Sequence, residues 1–253
     1  MKQARLILVG AGPGDPELIT LKGIKAIQKA DAILYDALAN EELLEYAPQH
    51  CVKIFVGKRY GQPSMKQEEI NELIVASAFH FGIVVRLKGG DPFIFGRATE
   101  EIEYAETFGI ETEVVPGLSS ATAIPALHKI ALTQRGVSRG FRVITGTLSD
   151  TELNEDLINA ANSNETTVIL MGMNKLHLIT ELFSAFGKSE LPAAIIQNGS
   201  LPNEKIVTGL VKNIAAKAKK EKMATPAIII LGESVNWRNA FAKVKNNEIR
   251  NEQ

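Results

Sequence analysis

The sequence predicts an α/β protein of two domains, the first built on a mainly parallel sheet with helices and the second on a mixed sheet with helices. Three observations carry that prediction. Short aliphatic runs alternate with segments of helical period through the first half of the chain. The rhythm breaks at Pro116-Gly117 and resumes in a different order. The 253 residues exceed one average domain, so domains are placed at 1–115 and 116–236, with a polar, flexible tail expected at 237–253.

Leu6-Ile7-Leu8-Val9, Ala32-Ile33-Leu34-Tyr35, Val52-Lys53-Ile54-Phe55, Ile83-Val84-Val85-Arg86-Leu87 and Thr112-Glu113-Val114-Val115 read as strands. Several are continuously apolar, which marks strands covered on both faces. The first helix has its own start signal: Asp15 suits an N-cap and Pro16 the first helical position, and Leu18, Ile19, Leu21, Ile24 and Ile27 follow at helical spacing. Further helices are predicted over 67–79 and 97–108. After Pro116-Gly117 the small residues Ser119-Ser120-Ala121-Thr122-Ala123 predict a connection packed closely against a neighbour. Strands recur at 141–145, 167–171, 193–197, 205–208 and 227–231, and helices are predicted at 151–161, 175–186 and 210–220. Val207-Thr208-Gly209 follows 195–199 closely enough to form a local antiparallel pair, which makes the second sheet mixed.

Composition narrows the function. Lys plus Arg number 28 and Asp plus Glu 29, a net charge of −1, so no global cationic field draws nucleic acid or an anionic membrane. An anionic ligand must be met by a local basic cluster. The one cysteine, Cys51, excludes an intramolecular disulfide and a multi-thiolate zinc site, fits a cytoplasmic location, and reads as a small packed hydrophobe. The chain starts with a short apolar run that lacks a signal-peptide h-region and cleavage site, so no export is expected. Apolar stretches such as 227–231 fall far short of the ~20 residues that cross a bilayer. His50, His80, His128 and His177 show no metal-ligand spacing, so no metal is expected, and Gly-x-Ser-x-Gly is absent.

Two glycine loops stand out. Gly10-Ala11-Gly12-Pro13-Gly14-Asp15 lies between the first strand and the first helix, where a dinucleotide fingerprint would need a glycine at the position of Asp15. Pro13 removes a backbone donor that a pyrophosphate would use, so the loop is built for close approach and not for phosphate, and a nicotinamide oxidoreductase is disfavoured. Lys88-Gly89-Gly90-Asp91-Pro92-Phe93-Ile94-Phe95-Gly96-Arg97 follows the fourth strand. Its glycines admit a ligand to the backbone, and Asp91 can accept from ribose hydroxyls or an ammonium group. Both loops fall beyond the carboxyl ends of parallel strands, where ligands bind in open sheets. No P-loop is present, so a nucleoside without polyphosphate fits best. Arg97, Arg135 and Arg139 have the rigid fork that suits carboxylates, although each taken singly fits a solvated surface charge. Asp36, just past the second strand, reads as a base or a turn residue.

These residues resemble the tetrapyrrole methyltransferases that use S-adenosylmethionine (SAM), most closely the uroporphyrinogen-III C-methyltransferase branch. The resemblance runs from about Arg5 to Glu233, through Val9-Gly10-Ala11-Gly12-Pro13-Gly14-Asp15-Pro16, Tyr35-Asp36, Val56-Gly57-Lys58-Arg59, Val114-Val115-Pro116-Gly117 and, most specifically, Arg86-Leu87-Lys88-Gly89-Gly90-Asp91-Pro92-Phe93-Ile94-Phe95-Gly96-Arg97. It implies the two-domain fold of that family, a homodimer, and SAM held between the domains by Pro13, Gly89, Gly90, Asp91, Ile94, Ser119, Ser120, Met171 and Gly199. It places the proton acceptor on Asp36 and the proton donor on Lys58. It further implies methylation of uroporphyrinogen III at C2 and C7 to precorrin-2, a step of siroheme and cobalamin synthesis, with Arg97, Arg135 and Arg139 as clamps for the acidic macrocycle. The alternative is a sister enzyme acting on a later precorrin. The chain departs from the branch at Ala37, where an arginine is usual, and at Ala98-Thr99, where two glycines are usual. It also departs at Leu127-His128-Lys129, where Tyr-Ala-Gly is typical, and at Ala131 and Gln134 in Ala131-Leu132-Thr133-Gln134-Arg135. All four places belong to the expected tetrapyrrole side, while the SAM text is nearly intact.

Overall fold

The computed structural model describes residues 3–57, 65–146 and 155–236. Lys58, the start of the helix predicted over 151–161 and the tail at 237–253 lie outside them. The chain divides into two compact units between Ser120 and Ala121.

In the first unit, β1 (Arg5–Gly10), β2 (Ala32–Tyr35), β3 (Val52–Phe55), β4 (Ile83–Lys88) and β5 (Glu111–Val115) form one sheet in the order β3-β2-β4-β1-β5. Every pairing in it is parallel. Alternate side chains enter two separate cores, as the pleat requires. Ile7, Val9, Ile33, Val85 and Leu87 pack on one face beneath α1 (Leu21–Ile27) and a 3-10 helix at Glu41–Tyr46. Leu6, Leu8, Leu34 and Val84 pack on the other beneath α2 (Gln67–Phe81) and α3 (Ala98–Thr107). The continuous aliphatic runs are explained by this double burial.

Two expectations need correction. The helix expected from Pro16 to Ile27 is broken, with Pro16–Leu18 forming a single 3-10 turn and α1 starting at Leu21. The cause is a second cap: Asp15 Oδ1 accepts the Glu17 N–H at 2.9 Å, and Thr20 Oγ1 accepts the Gly23 N–H at 3.0 Å. Ile19 and Thr20 between the caps stay extended. The small-residue stretch at 119–123 is likewise no mere connection, because it opens α4 (Ser120–Leu127). Its small side chains and Pro125 hide the helical period.

In the second unit, β6 (Phe141–Thr145), β7 (Thr166–Leu170), β8 (Pro192–Gln197), β9 (Lys205–Leu210) and β10 (Ala227–Leu231) form a mixed sheet in the order β6-β7-β10-β8-β9. Only the β6–β7 pairing is parallel, and β8–β9 is the local antiparallel pair that the sequence predicts. α5 (Glu155–Asn162), α6 (Leu176–Ala185) and α7 (Val211–Lys220) cover one face around Phe183, Ile195 and Ile229. Ile124 of α4, with Ala194, Ile196, Ile228 and Ile230, fills the other. Among the described residues no helix is long and apolar enough to cross a membrane.

Phe183 is 1% exposed at the centre of the larger core of the second unit. Phe183→Ala is expected to lower unfolding free energy by roughly 3–5 kcal/mol in a urea titration.

Candidate active site

The carboxyl ends of β1, β4 and β5 meet backbone against backbone. The Ala11 N–H donates to Lys88 O at 2.8 Å. Gly12 and Gly90 then exchange two hydrogen bonds, Gly12 N–H to Gly90 O at 3.2 Å and Gly90 N–H to Gly12 O at 2.7 Å. A Cβ on Gly10 would lie 2.5 Å from Gly117 Cα, and one on Gly117 would lie 2.3 Å from Gly90 O. No other residue type fits those two positions with this backbone. Gly12 and Gly90 also have φ of +79° and +69°, a conformation that costs an L side chain energy. The two glycine loops singled out in the sequence are thus interlocked at one sheet edge, and the Ser119–Ser120 backbone lies about 4 Å from where a Gly90 Cβ would stand.

Asp91 closes this junction. Its Oδ1 accepts the Phe93 N–H at 2.8 Å and its Oδ2 accepts the Gly117 N–H at 3.0 Å, so one carboxylate staples the β4 loop to the end of β5. Each oxygen keeps a lone pair for a ligand. The β2 loop is tied in as well. Asn40 Nδ2 donates to Gly14 O at 2.9 Å, and a Cβ on Gly89 would strike Leu38 Cβ at 2.5 Å. Beyond Asp91, the side chains of Phe93, Ile94 and Phe95 stand exposed together.

Asp36 sits on the same edge over a buried ionic group. Its Oδ1 accepts the Leu38 N–H at 3.0 Å, and its Oδ2 lies 3.6 Å from Arg86 Nη1. Arg86 Nε and Lys88 Nζ both reach Glu101 Oε1, at 3.2 and 2.7 Å, and Glu101 is fully buried. Burial, with Arg86 alongside, pushes the Lys88 ammonium below its ordinary range, and Glu101 offsets only part of this. Arg97 points its fork at Glu100, with Nε and Nη2 donating to the two carboxylate oxygens at 2.7 and 2.6 Å. That contact holds Glu100 below and Arg97 above their ordinary pKa values.

In the second unit, β6, β7 and β8 end at one sheet edge, since β7 and β8 both run antiparallel to the intervening β10. Met171 follows β7 there with φ of +55° and a half-exposed side chain. Gly199 follows β8 between Asn198 and Ser200, which are left-handed at φ +50° and +68°. A Cβ on Gly199 would meet Ile124 Cγ2 at 2.7 Å, so α4 presses directly on this loop. Glu204 Oε2 accepts the Ser200 N–H at 2.7 Å, and its Oε1 lies 2.9 Å from His128 Nε2 at the end of α4. Arg135 and Arg139 are exposed in and beside a turn closed by paired Gln134 and Ser138.

Pro13, Gly89, Gly90, Asp91, Ile94, Ser119, Ser120 and Asp36 therefore share the loop edge of the first unit, with Arg97 at the start of α3. Met171 and Gly199 share that of the second. Sequence reasoning missed Asn40, Glu101 and the His128–Glu204 contact. Glu101 had a signal, because it lies on the α3 face of buried Ala98 and Ala105.

Residues 5–215 match the family model described as Tetrapyrrole (Corrin/Porphyrin) Methylases. The chain belongs to this family. It is 46% identical over 234 residues to a uroporphyrinogen-III C-methyltransferase from Methanocaldococcus jannaschii, covering 92% of this chain and 97% of that one. The fold matches a uroporphyrin-III C-methyl transferase from Thermus thermophilus complexed with S-adenyl homocysteine, at a TM-score of 0.78, 38% identity and coverage of 92% and 99%. It also matches a cobalt precorrin-4 methyltransferase at a TM-score of 0.82 but 26% identity, covering 92% and 96%. Siroheme synthases align too, and the chain spans 43% of the one from Psychrobacter arcticus at 42% identity.

Asp91→Ala leaves two loop N–H groups without their carboxylate. Chemical denaturation is expected to show a loss of about 2 kcal/mol.

Proposed function

We propose that this chain is a SAM-dependent C-methyltransferase that adds methyl groups at C2 and C7 of uroporphyrinogen III to give precorrin-2, for siroheme or cobalamin synthesis. The observation that carries this reading is the junction of Gly10, Gly90 and Gly117, where loop backbones interlock at the strand ends beyond which ligands bind in open parallel sheets. Family membership and the activities named for the relatives support it. A later precorrin as substrate is the weaker reading, because the higher identities are to relatives named for uroporphyrinogen III.

The residues fit a sulfonium nucleoside. Backbone at Gly89 and Gly90, the remaining lone pairs of Asp91, and Pro13, Ile94, Ser119, Ser120, Met171 and Gly199 are the residues that would hold it. Such a donor supplies a methyl group already activated for transfer. The chain then has to align a pyrrole carbon, keep water out and handle one proton. Each methyl gained costs the ring one proton net, which Asp36 takes, and the proton that Lys58 returns to one ring position is matched by a second one lost from another. The exposed Phe93, Ile94 and Phe95 supply apolar cover for a macrocycle. Arg97, Arg135 and Arg139 bind its carboxylates. Arg97 must exchange Glu100 for the substrate, a near-balanced swap of one carboxylate for another. On the same reading the enzyme works as a homodimer, as the family resemblance implies, and in the cytoplasm, which the single cysteine fits.

Incubation with uroporphyrinogen III and methyl-labelled SAM should place two labelled methyl groups at C2 and C7, read by NMR of the product; absence of label in the macrocycle overturns the reading. Asp36→Asn should lower kcat about 100-fold or more while S-adenosylhomocysteine binds as before in calorimetry. Arg135→Ala should raise KM for the tetrapyrrole about tenfold at moderate salt, and an unchanged KM removes Arg135 from the clamp.

A further inference from the structure

Arg86 and Lys88 share the face of β4 that Val84 takes, alternating with Val85 and Leu87, and so lie toward α2 and α3, beneath the loop edge that carries Asp36. There they converge on one oxygen. Glu101 Oε1 takes Lys88 Nζ at 2.7 Å, Arg86 Nε at 3.2 Å and Gln67 Nε2 at 3.2 Å. Glu101 Oε2 has no hydrogen-bond partner among the described residues. The opposite limb of the guanidinium, Nη1, donates to Leu34 O at 3.4 Å and Leu87 O at 3.1 Å, and stops 3.6 Å short of Asp36 Oδ2. That is charge contact without a hydrogen bond. A buried carboxylate is costly, and alanines at 98 and 105 occupy the same helix face without difficulty. A charge at position 101 therefore calls for an account beyond packing.

We propose that Glu101 is a positioning residue for Asp36: by dividing its carboxylate between Lys88 and Arg86, it holds the guanidinium back from Asp36 and leaves that carboxylate available to take a proton. This rests on the reading of Asp36 as proton acceptor. The charged groups at hand among the described residues are Arg86 and Lys88 from β4 and Glu101 from α3, with Glu68, Arg97 and Glu100 farther out. α2 contributes the neutral Gln67 and Asn71. On the β3 side, Lys58 lies outside the described residues.

The signs follow from charge balance. Removing the charge of Glu101 leaves two cations facing Asp36 as the sole carboxylate of the group. Protonating Asp36 then becomes harder, and its titration moves to lower pH. Removing Lys88 instead leaves Glu101 to Arg86 alone, draws the guanidinium away and deletes a positive charge. The titration then moves to higher pH.

The test titrates Asp36 directly in the full chain carrying aspartate labelled with carbon-13 at the side-chain carboxyl, with Asp36→Asn to assign its signal. Glu101→Gln should move the midpoint down by about one pH unit, and Lys88→Met should move it up by a similar amount. Glu101→Asp, which keeps the charge, should fall between wild type and Glu101→Gln. In activity measurements the acid limb of kcat should follow the same two directions. Loss of packing alone would not produce shifts of opposite sign. Midpoints that stay at the wild-type value overturn the proposal, and if Glu101→Gln does not fold, Lys88→Met decides it alone. The titration needs no substrate, so an inactive wild-type chain would overturn the proposed function while this coupling still stood or fell on its own signals.

Discussion

Everything in the first unit hangs on three backbones passing closer together than any side chain allows. Parallel strands lie about 4.8 Å apart, and their loops normally diverge to reach the helices above and below the sheet. Here the loops after β1 and β4 turn toward one another and pair as an isolated bridge between Gly12 and Gly90. The chain leaving β5 crosses them at Gly117. Such contact needs glycine at Gly10 and Gly117 for space and at Gly12 and Gly90 for their positive φ. Asp91 then supplies a side chain that ties the crossing together, and Asn40 extends the tie to the β2 loop. A surface made this way is fixed before any ligand arrives, which is the condition for aligning two reactants without ordering loops at the moment of reaction.

Below that surface, charge is arranged with equal closeness. Glu100 and Glu101 are neighbours in sequence and opposite in role, because successive helical residues lie about 100° apart around the axis. Glu100 faces outward and grips Arg97, whereas Glu101 faces inward and gathers Arg86, Lys88 and Gln67. The β4 strand contributes two cations to the same face through its period of two, so the group forms where a strand and a helix present their inner stripes to each other. Its members reach Asp36 at the loop edge, so the buried charges connect to a partly exposed carboxylate.

Much of this was legible in the sequence. All ten strands among the described residues follow from aliphatic runs and their punctuation, and the two glycine loops lie at one edge as expected, since both follow parallel strands. What escaped depended on local competition or on side-chain direction. Thr20 captured a helix start that the apolar spacing of Ile19 to Ile27 concealed. The small side chains of α4 gave no amphipathic stripe to read. Glu101 looked like one more charge in Thr99-Glu100-Glu101, and only its register with Ala98 and Ala105 distinguishes it. His128 and Glu204 are 76 residues apart in the chain, and no local pattern pairs them.

The positions where this chain departs from its closest resemblance fall mainly on supports. Ala98 is buried on the inner face of α3 and Thr99 is exposed beside it, so both replace flexible glycines in the turn that aims Arg97 and Glu101. Alanine and threonine cost a helix less than glycine, which stiffens that turn. His128 Nε2 lies 2.9 Å from Glu204, whose other oxygen holds the Ser200 N–H, so α4 meets the loop of Gly199 at this contact as well as at Ile124. Ala37 is exposed between Asp36 and Leu38, and the shorter side chain there leaves the Asp36 carboxylate with Arg86 as its near cation among the described residues. Three of these changes alter how firmly a group is held and one alters its charge neighbourhood, while the glycines and Asp91 that shape the loop edge stand as the family pattern has them. The departures thus bear on the rigidity around Arg97 and Gly199 and on the charges near Asp36.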